Sequence, residues 1–182
     1  MEHALERPPG LRGMVVADSP ASMTLWVSEA NRLRGDLPPD VQETLTRHEE
    51  AGTTDDPEYE EAVAVFYERH LCRVPMPDCV QRSFAQIAAD PTVYHTMNGP
   101  SEFHVVGSLK EWDITDRLGE ITTPTLLVSG RHDEATPLIV SEIHERIPGA
   151  DWVIFEESSH MPHVEEPELF LETVEAFLRT ID

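Results

Sequence analysis

The chain has 182 residues, 40% hydrophobic and 26% charged, which makes room for one packed water-soluble domain, or one domain with a small insert, and excludes two large repeated domains or a disordered tail. Thirteen basic against 35 acidic residues give a formal net charge of −22, so polyanions are repelled at long range, and neither nucleic acid nor an anionic membrane is an expected partner. Cys72 and Cys79 stand outside any metal-ligand pattern and read as plain thiols. With no basic-then-apolar leader and no stretch near the roughly 18 apolar residues of a spanning helix, a cytoplasmic location is expected.

Met1 to Arg7 reads as the last turn of a helix ended by Pro8-Pro9-Gly10. Leu11 to Ala17 follows as a short apolar run closed by Asp18-Ser19-Pro20, the pattern of a buried parallel strand. From Ala21 to about Thr96 the periodicity is helical, in segments separated by Pro38-Pro39, by Gly52 to Pro57 and by Val74-Pro75-Met76-Pro77. The clearest segment is Pro57 to Arg73, with Asp56 as N-cap, Pro57 as first helical residue and Tyr59, Val63, Phe66 and His70 along one face. Tyr59, Phe66 and Trp26 are expected in the packed interior of this insert. The acidic runs at Glu58-Tyr59-Glu60-Glu61 and Glu165-Glu166-Pro167-Glu168 read as solvated helix starts.

After Trp112-Asp113-Ile114 strands alternate with helices: a buried strand at Pro124 to Gly130, a helix from Pro137 to Ile147, a strand at Asp151 to Phe155 and a terminal amphipathic helix from Pro167 to Ile181 carrying Leu169, Phe170, Val174, Phe177 and Leu178. This order predicts an α/β fold with a parallel sheet, in which chemistry gathers at the carboxyl ends of strands.

Two polar loops follow buried strands directly: Ser129 to Pro137, and Glu156 to His163. Asp133 on the first and His160 on the second, 160 − 133 = 27 residues apart, have the Asp-then-His order of an α/β-hydrolase triad. There the carboxylate holds the imidazole tautomer and the imidazole takes a proton from serine. Singly, Asp133 also reads as a helix cap and His160 as a surface histidine; their matching positions favour the catalytic reading. His132 and His163 beside them do not complete a metal coordination set, and no metal or cofactor is expected.

Three blocks resemble the proline iminopeptidase family of serine aminopeptidases: Thr96 to Phe103 (Thr-Met-Asn-Gly-Pro-Ser-Glu-Phe), Leu109 to Asp116, and Pro124 to Pro137 together with Ser158-Ser159-His160. The resemblance extends over essentially the whole chain and implies the C-terminal portion of an α/β-hydrolase fold, with residues 1–20 and 110–182 as partial core and 21–109 as an all-helical cap. It implies Asp133 as triad acid, His160 as triad base, and Glu102 and Glu134 as the acids that hold the free amino group of a short peptide. Without the resemblance, Glu102 reads as a solvated charge in a turn and Glu134 as a first-turn helix acid.

The family's nucleophile sits in Gly-x-Ser-x-Gly on a strand-to-helix turn. No serine here has that setting; Ser19, near the end of the first strand, is followed by Pro20. A Gly-rich oxyanion loop is absent as well. The expectation is therefore a fragment that begins after the nucleophile helix and lacks an N-terminal half. Other expectations compatible with these residues are a different α/β-hydrolase, acting on esters or lactones, and a non-catalytic remnant that binds peptide amines.

Overall fold

The computed structural model describes residues 1–181. Three strands, β1 (Met14–Ala17), β2 (Thr125–Gly130) and β3 (Asp151–Phe155), form one parallel sheet in the order β1-β2-β3. The central strand is buried at every position. Its period-two geometry sorts its side chains: Leu127 joins Val16, Leu118, Ile121, Val140, Ile143 and Ile147 in one cluster, while Leu126 and Val128 join Phe155 and Phe177 in another. Thus α7 (Pro137–Arg146) packs in the first cluster and α9 (Pro167–Leu178) in the second.

Before β1 comes a one-turn helix, α1 (Glu2–Leu5), shorter than the sequence stub suggests. Between β1 and β2 the chain runs through α2 (Met23–Arg34), α3 (Pro39–Ala51), α4 (Pro57–His70), α5 (Asp78–Ala89) and α6 (Thr92–Met97), then a 3-10 turn at Thr115–Glu120. Local signals set the α3–α4 hairpin. Gly52 ends α3 with φ +66°, and Asp56 caps α4 by accepting from Glu58 N at 2.9 Å. Tyr59, Val63 and Phe66 are buried with Ala30, Leu33, Leu45 and Phe103. Trp26 departs from expectation, joining Met23, Ala135 and Ile139 at the junction between α2 and α7.

A short helix, α8 (Pro162–Glu165), precedes α9. In α9 only Phe177 is buried; Leu169 and Leu178, part of the apolar pattern of the amphipathic terminal helix, are 46% and 47% exposed. No described helix is long and apolar enough to cross a membrane.

Candidate active site

The sheet delivers Asp18, Asp133 and His160 to one end, each just past the carboxyl terminus of its strand. Asp133 Oδ1 accepts from His160 Nδ1 and from the backbone N–H of Ala135, both at 2.8 Å. One oxygen therefore serves both as triad-type acceptor and as local turn brace, but Asp133 is not the cap of the following helix: Thr136 stands at that position and α7 has no side-chain cap. Because a carboxylate can only accept, this bond fixes the proton on Nδ1 and leaves Nε2 as the reactive nitrogen.

The His160 loop is fastened by its neighbours. Glu165 accepts from Ser159 N and Oγ, each at 2.8 Å, from Met161 N at 3.2 Å and from Arg73 N at 2.8 Å. Glu166 accepts from Ser158 Oγ and from Glu157 N. These two acids, read from sequence as solvated, are the braces of the histidine loop. Gly130 admits the loop: a Cβ there would lie 2.0 Å from the Ser159 carbonyl oxygen. On the other side, Glu29 accepts from Thr136 Oγ1 at 2.7 Å, and Glu134 N donates to the His70 carbonyl at 3.2 Å, so α2 and α4 are tied to the Asp133 loop.

Above the pair lies a cleft of about 430 Å3 whose lining includes Asp18, Met23, Trp26, Glu102, Trp112 and His160. Trp26 meets the His160 ring edge-on at 6.2 Å. Glu102 is held at three points: its carbonyl accepts from Trp26 Nε1 at 2.6 Å, its carboxylate from Tyr94 OH at 2.7 Å, and its N–H donates to Tyr67 OH at 3.4 Å. Burial, with the charges of Glu102 and Glu134 adding to it, pushes both phenols well above the ordinary tyrosine range, so they remain donors. Glu134 is sealed from solvent and neither carboxyl oxygen has a hydrogen-bond partner. Burial raises its pKa well above the usual carboxylate range; Glu102 and Asp133 push in the same direction and His160 opposes them.

His160 itself is pulled both ways. Burial disfavours its charged form, but the hydrogen bond and charge of Asp133, with Glu134 and Asp18, outweigh this and raise it to about 10. Asp18 escaped the sequence reading, which used it only to close the first strand. The signal was available: an acid directly after a buried strand, like Asp133. Of the four residues expected at the site, Glu102 and His160 line the cleft, while Asp133 and Glu134 are buried beside them, Asp133 bonded to His160 and Glu134 within electrostatic reach of the other three. His132 and His163 do not join them in a ligand cluster; among the described residues, the one group of three metal-type ligands is His48, Asp56 and Glu58 at the α3–α4 turn. There His48 Nδ1 already engages Thr53 Oγ1 at 2.8 Å, which braces the turn.

A parallel sheet with a strand-end Asp–His pair beneath helices defines the α/β-hydrolase class. A thermophilic esterase, 20% identical with a TM-score of 0.60 over 97% of this chain and 60% of that one, shares the fold alone. Nearer relatives are more specific: proline iminopeptidases of Saccharolobus solfataricus (41% identity over 97% of this chain) and Heyndrickxia coagulans (39% over 98%). The solved structures of a Mycobacterium smegmatis proline iminopeptidase (47% identity, TM-score 0.88, 98% of this chain and 60% of that one) and of VinJ (51%, 0.97, 100% and 62%) superpose closely. The chain belongs to the proline iminopeptidase family. It spans 57% and 62% of the length of the two curated relatives just named. No protein-family profile matches it.

Proposed function

We propose that this chain carries the acid–base pair and the amine-recognition site of a serine aminopeptidase that releases N-terminal proline, or another small apolar residue, from short peptides. The observation that carries this reading is that Glu102 lines the same cleft as His160, with no Lys or Arg in that lining, while Glu134 lies buried within electrostatic reach of Glu102 and of the Asp133–His160 pair. Carboxylates placed beside a triad base accept hydrogen bonds from a substrate ammonium, and so measure the distance from the chain terminus to the scissile carbonyl. An acylated or internal amide offers no such charge and leaves the acids unpaired. The segment 21–109 serves as the cap, and the partly apolar walls from Met23, Trp26 and Trp112 suit a proline ring.

In the reaction, Asp133 orients the imidazole and stabilises the imidazolium. His160 Nε2 takes the proton of the attacking serine and passes it to the leaving amine; water then releases the acyl group by the same route. The ammonium of a bound substrate opposes the cluster of acids that holds His160 charged, and lowers its pKa toward that of a working base. The reading requires a serine in a setting that these 182 residues do not contain. The free thiols Cys72 and Cys79 accord with a cytoplasmic setting.

The test uses the chain as it stands. In calorimetric titration, prolyl-alanine amide should bind and its N-acetyl form should not, while Glu102→Gln should weaken binding about tenfold, the loss of one charge-assisted hydrogen bond. Equal binding of the free and acetylated peptides would remove the amine site from this reading.

A further inference from the structure

The acid of the pair has an unexplained neighbour. Asp18 is 8% exposed, leaves β1 with φ +49°, a conformation uncommon for a residue other than glycine, and has its carboxyl within hydrogen-bonding reach of Asp133. Its N–H donates to the Val128 carbonyl at 3.0 Å, which carries the β1–β2 ladder one residue past the strand and holds the backbone in place. Two buried oxygens are left without a donor on these adjoining side chains, Asp18 Oδ1 and Asp133 Oδ2. If both groups were ionised, two carboxylates would adjoin in a buried site and each would keep an unsatisfied oxygen. One proton between them removes both defects.

We propose that Asp18 is a positioning residue of this site: it holds its carboxyl proton at neutral pH and donates it to Asp133, completing the set of donors that fixes the plane of the Asp133 carboxylate and hence the orientation of His160. Asp133 then accepts three hydrogen bonds, from His160 Nδ1 and Ala135 N on Oδ1 and from Asp18 on Oδ2. The proton belongs on Asp18 because Asp133 already has two donors to stabilise its charge, whereas Asp18 has only the Gly130 N–H beside it. The titratable groups around Asp18 agree: burial and the charge of Asp133 push its carboxyl up to about 10, against the pull of His160. Glu134 adds negative charge to the same group of side chains. Asp18 also lines the cleft, so its protonated form spares the site a further negative charge beside the base.

The inference rests on the Asp133–His160 geometry and is read without peptidase activity, so its failure and that of the proposed function are separable. In carboxyl-13C-aspartate-labelled chain, the signal that Asp18→Asn deletes should stay at its protonated position through pH 7, while exposed aspartates titrate near pH 4. The His160 Nδ1–H proton resonance should be retained in Asp18→Asn, whose amide can make the same donation, and should shift or broaden in Asp18→Ala. Titration of Asp18 together with the exposed aspartates would overturn the proposal. So would Asn and Ala variants that leave the His160 resonance alike, whether both move it or neither does. If Asp18→Ala does not fold, the carboxyl titration decides alone.

Discussion

The loops after β2 and β3 and the α5–α6 segment face opposite physical situations. In the loops, Asp133, Ser158 and Ser159 are buried and joined by hydrogen bonds to Glu165, Glu166 and His160. Along α5 and α6 no residue is buried, and Phe84 and Ile87 on α5 are 37% and 42% exposed. Both lead to the same cleft, since α6 provides Tyr94, the donor to the Glu102 carboxylate. The difference teaches where precision is stored. Proton transfer needs fixed geometry, and the residues that make it are locked into the sheet; the arm beside the proposed amine site depends on a segment with little packing to resist opening.

The strongest challenge to this contrast is Gly130→Ala. Its Cβ would press on the Ser159 carbonyl backbone, and the expected loss is about 3 kcal/mol in urea denaturation, the upper part of the range for overpacking. A near-neutral result would mean that the histidine loop is as yielding as α5. Next comes Glu165→Ala, which strips the acceptor from Ser159 and Met161 and should cost about 2 kcal/mol. Phe84→Ala, by contrast, should stay within about 0.5 kcal/mol. Equal costs for these two would erase the distinction.

A subtler measure is the pH dependence of the urea midpoint. Asp18 is raised from 3.8 to about 10 on folding, so its stabilising contribution is full below pH 4 and fades as pH rises toward 10. His160, raised from 6.5 to about 10, contributes fully below pH 6.5 and fades over the upper part of that window. These two groups should therefore make stability fall with rising pH, against the opposite contributions of His70 and His163, whose pKa values folding lowers, and Asp18→Asn should remove its share between pH 4 and 6.5, where His160 is charged in both states. Glu134, also raised by burial, leaves a residual slope there. An unchanged slope in Asp18→Asn would detach Asp18 from the buried site.

Much of this was legible in one dimension. The apolar runs at Val15 and Leu126, the Asp56-Pro57 helix start and the strand-end positions of Asp133 and His160 rest on local chemistry that a few neighbouring residues decide. The misreadings involved contacts that neither a charge run nor a helical spacing reveals. Glu165 and Glu166 looked solvated because a charge run normally is; their donors belong to a loop that folds back over Gly130. Trp26 sat at a helical spacing suited to the insert's interior, yet its indole N–H reaches the Glu102 carbonyl 76 positions away.

The sequence by itself determined the α/β order and the Asp–His pair, because strand burial and loop polarity are written in contiguous residues. Only the tertiary structure decided that Asp18 lies beside Asp133. Two acids 115 positions apart (133 − 18) become neighbours through parallel pairing of β1 with β2, and the register that sets Ala17 opposite Val128 is a property of the assembled sheet.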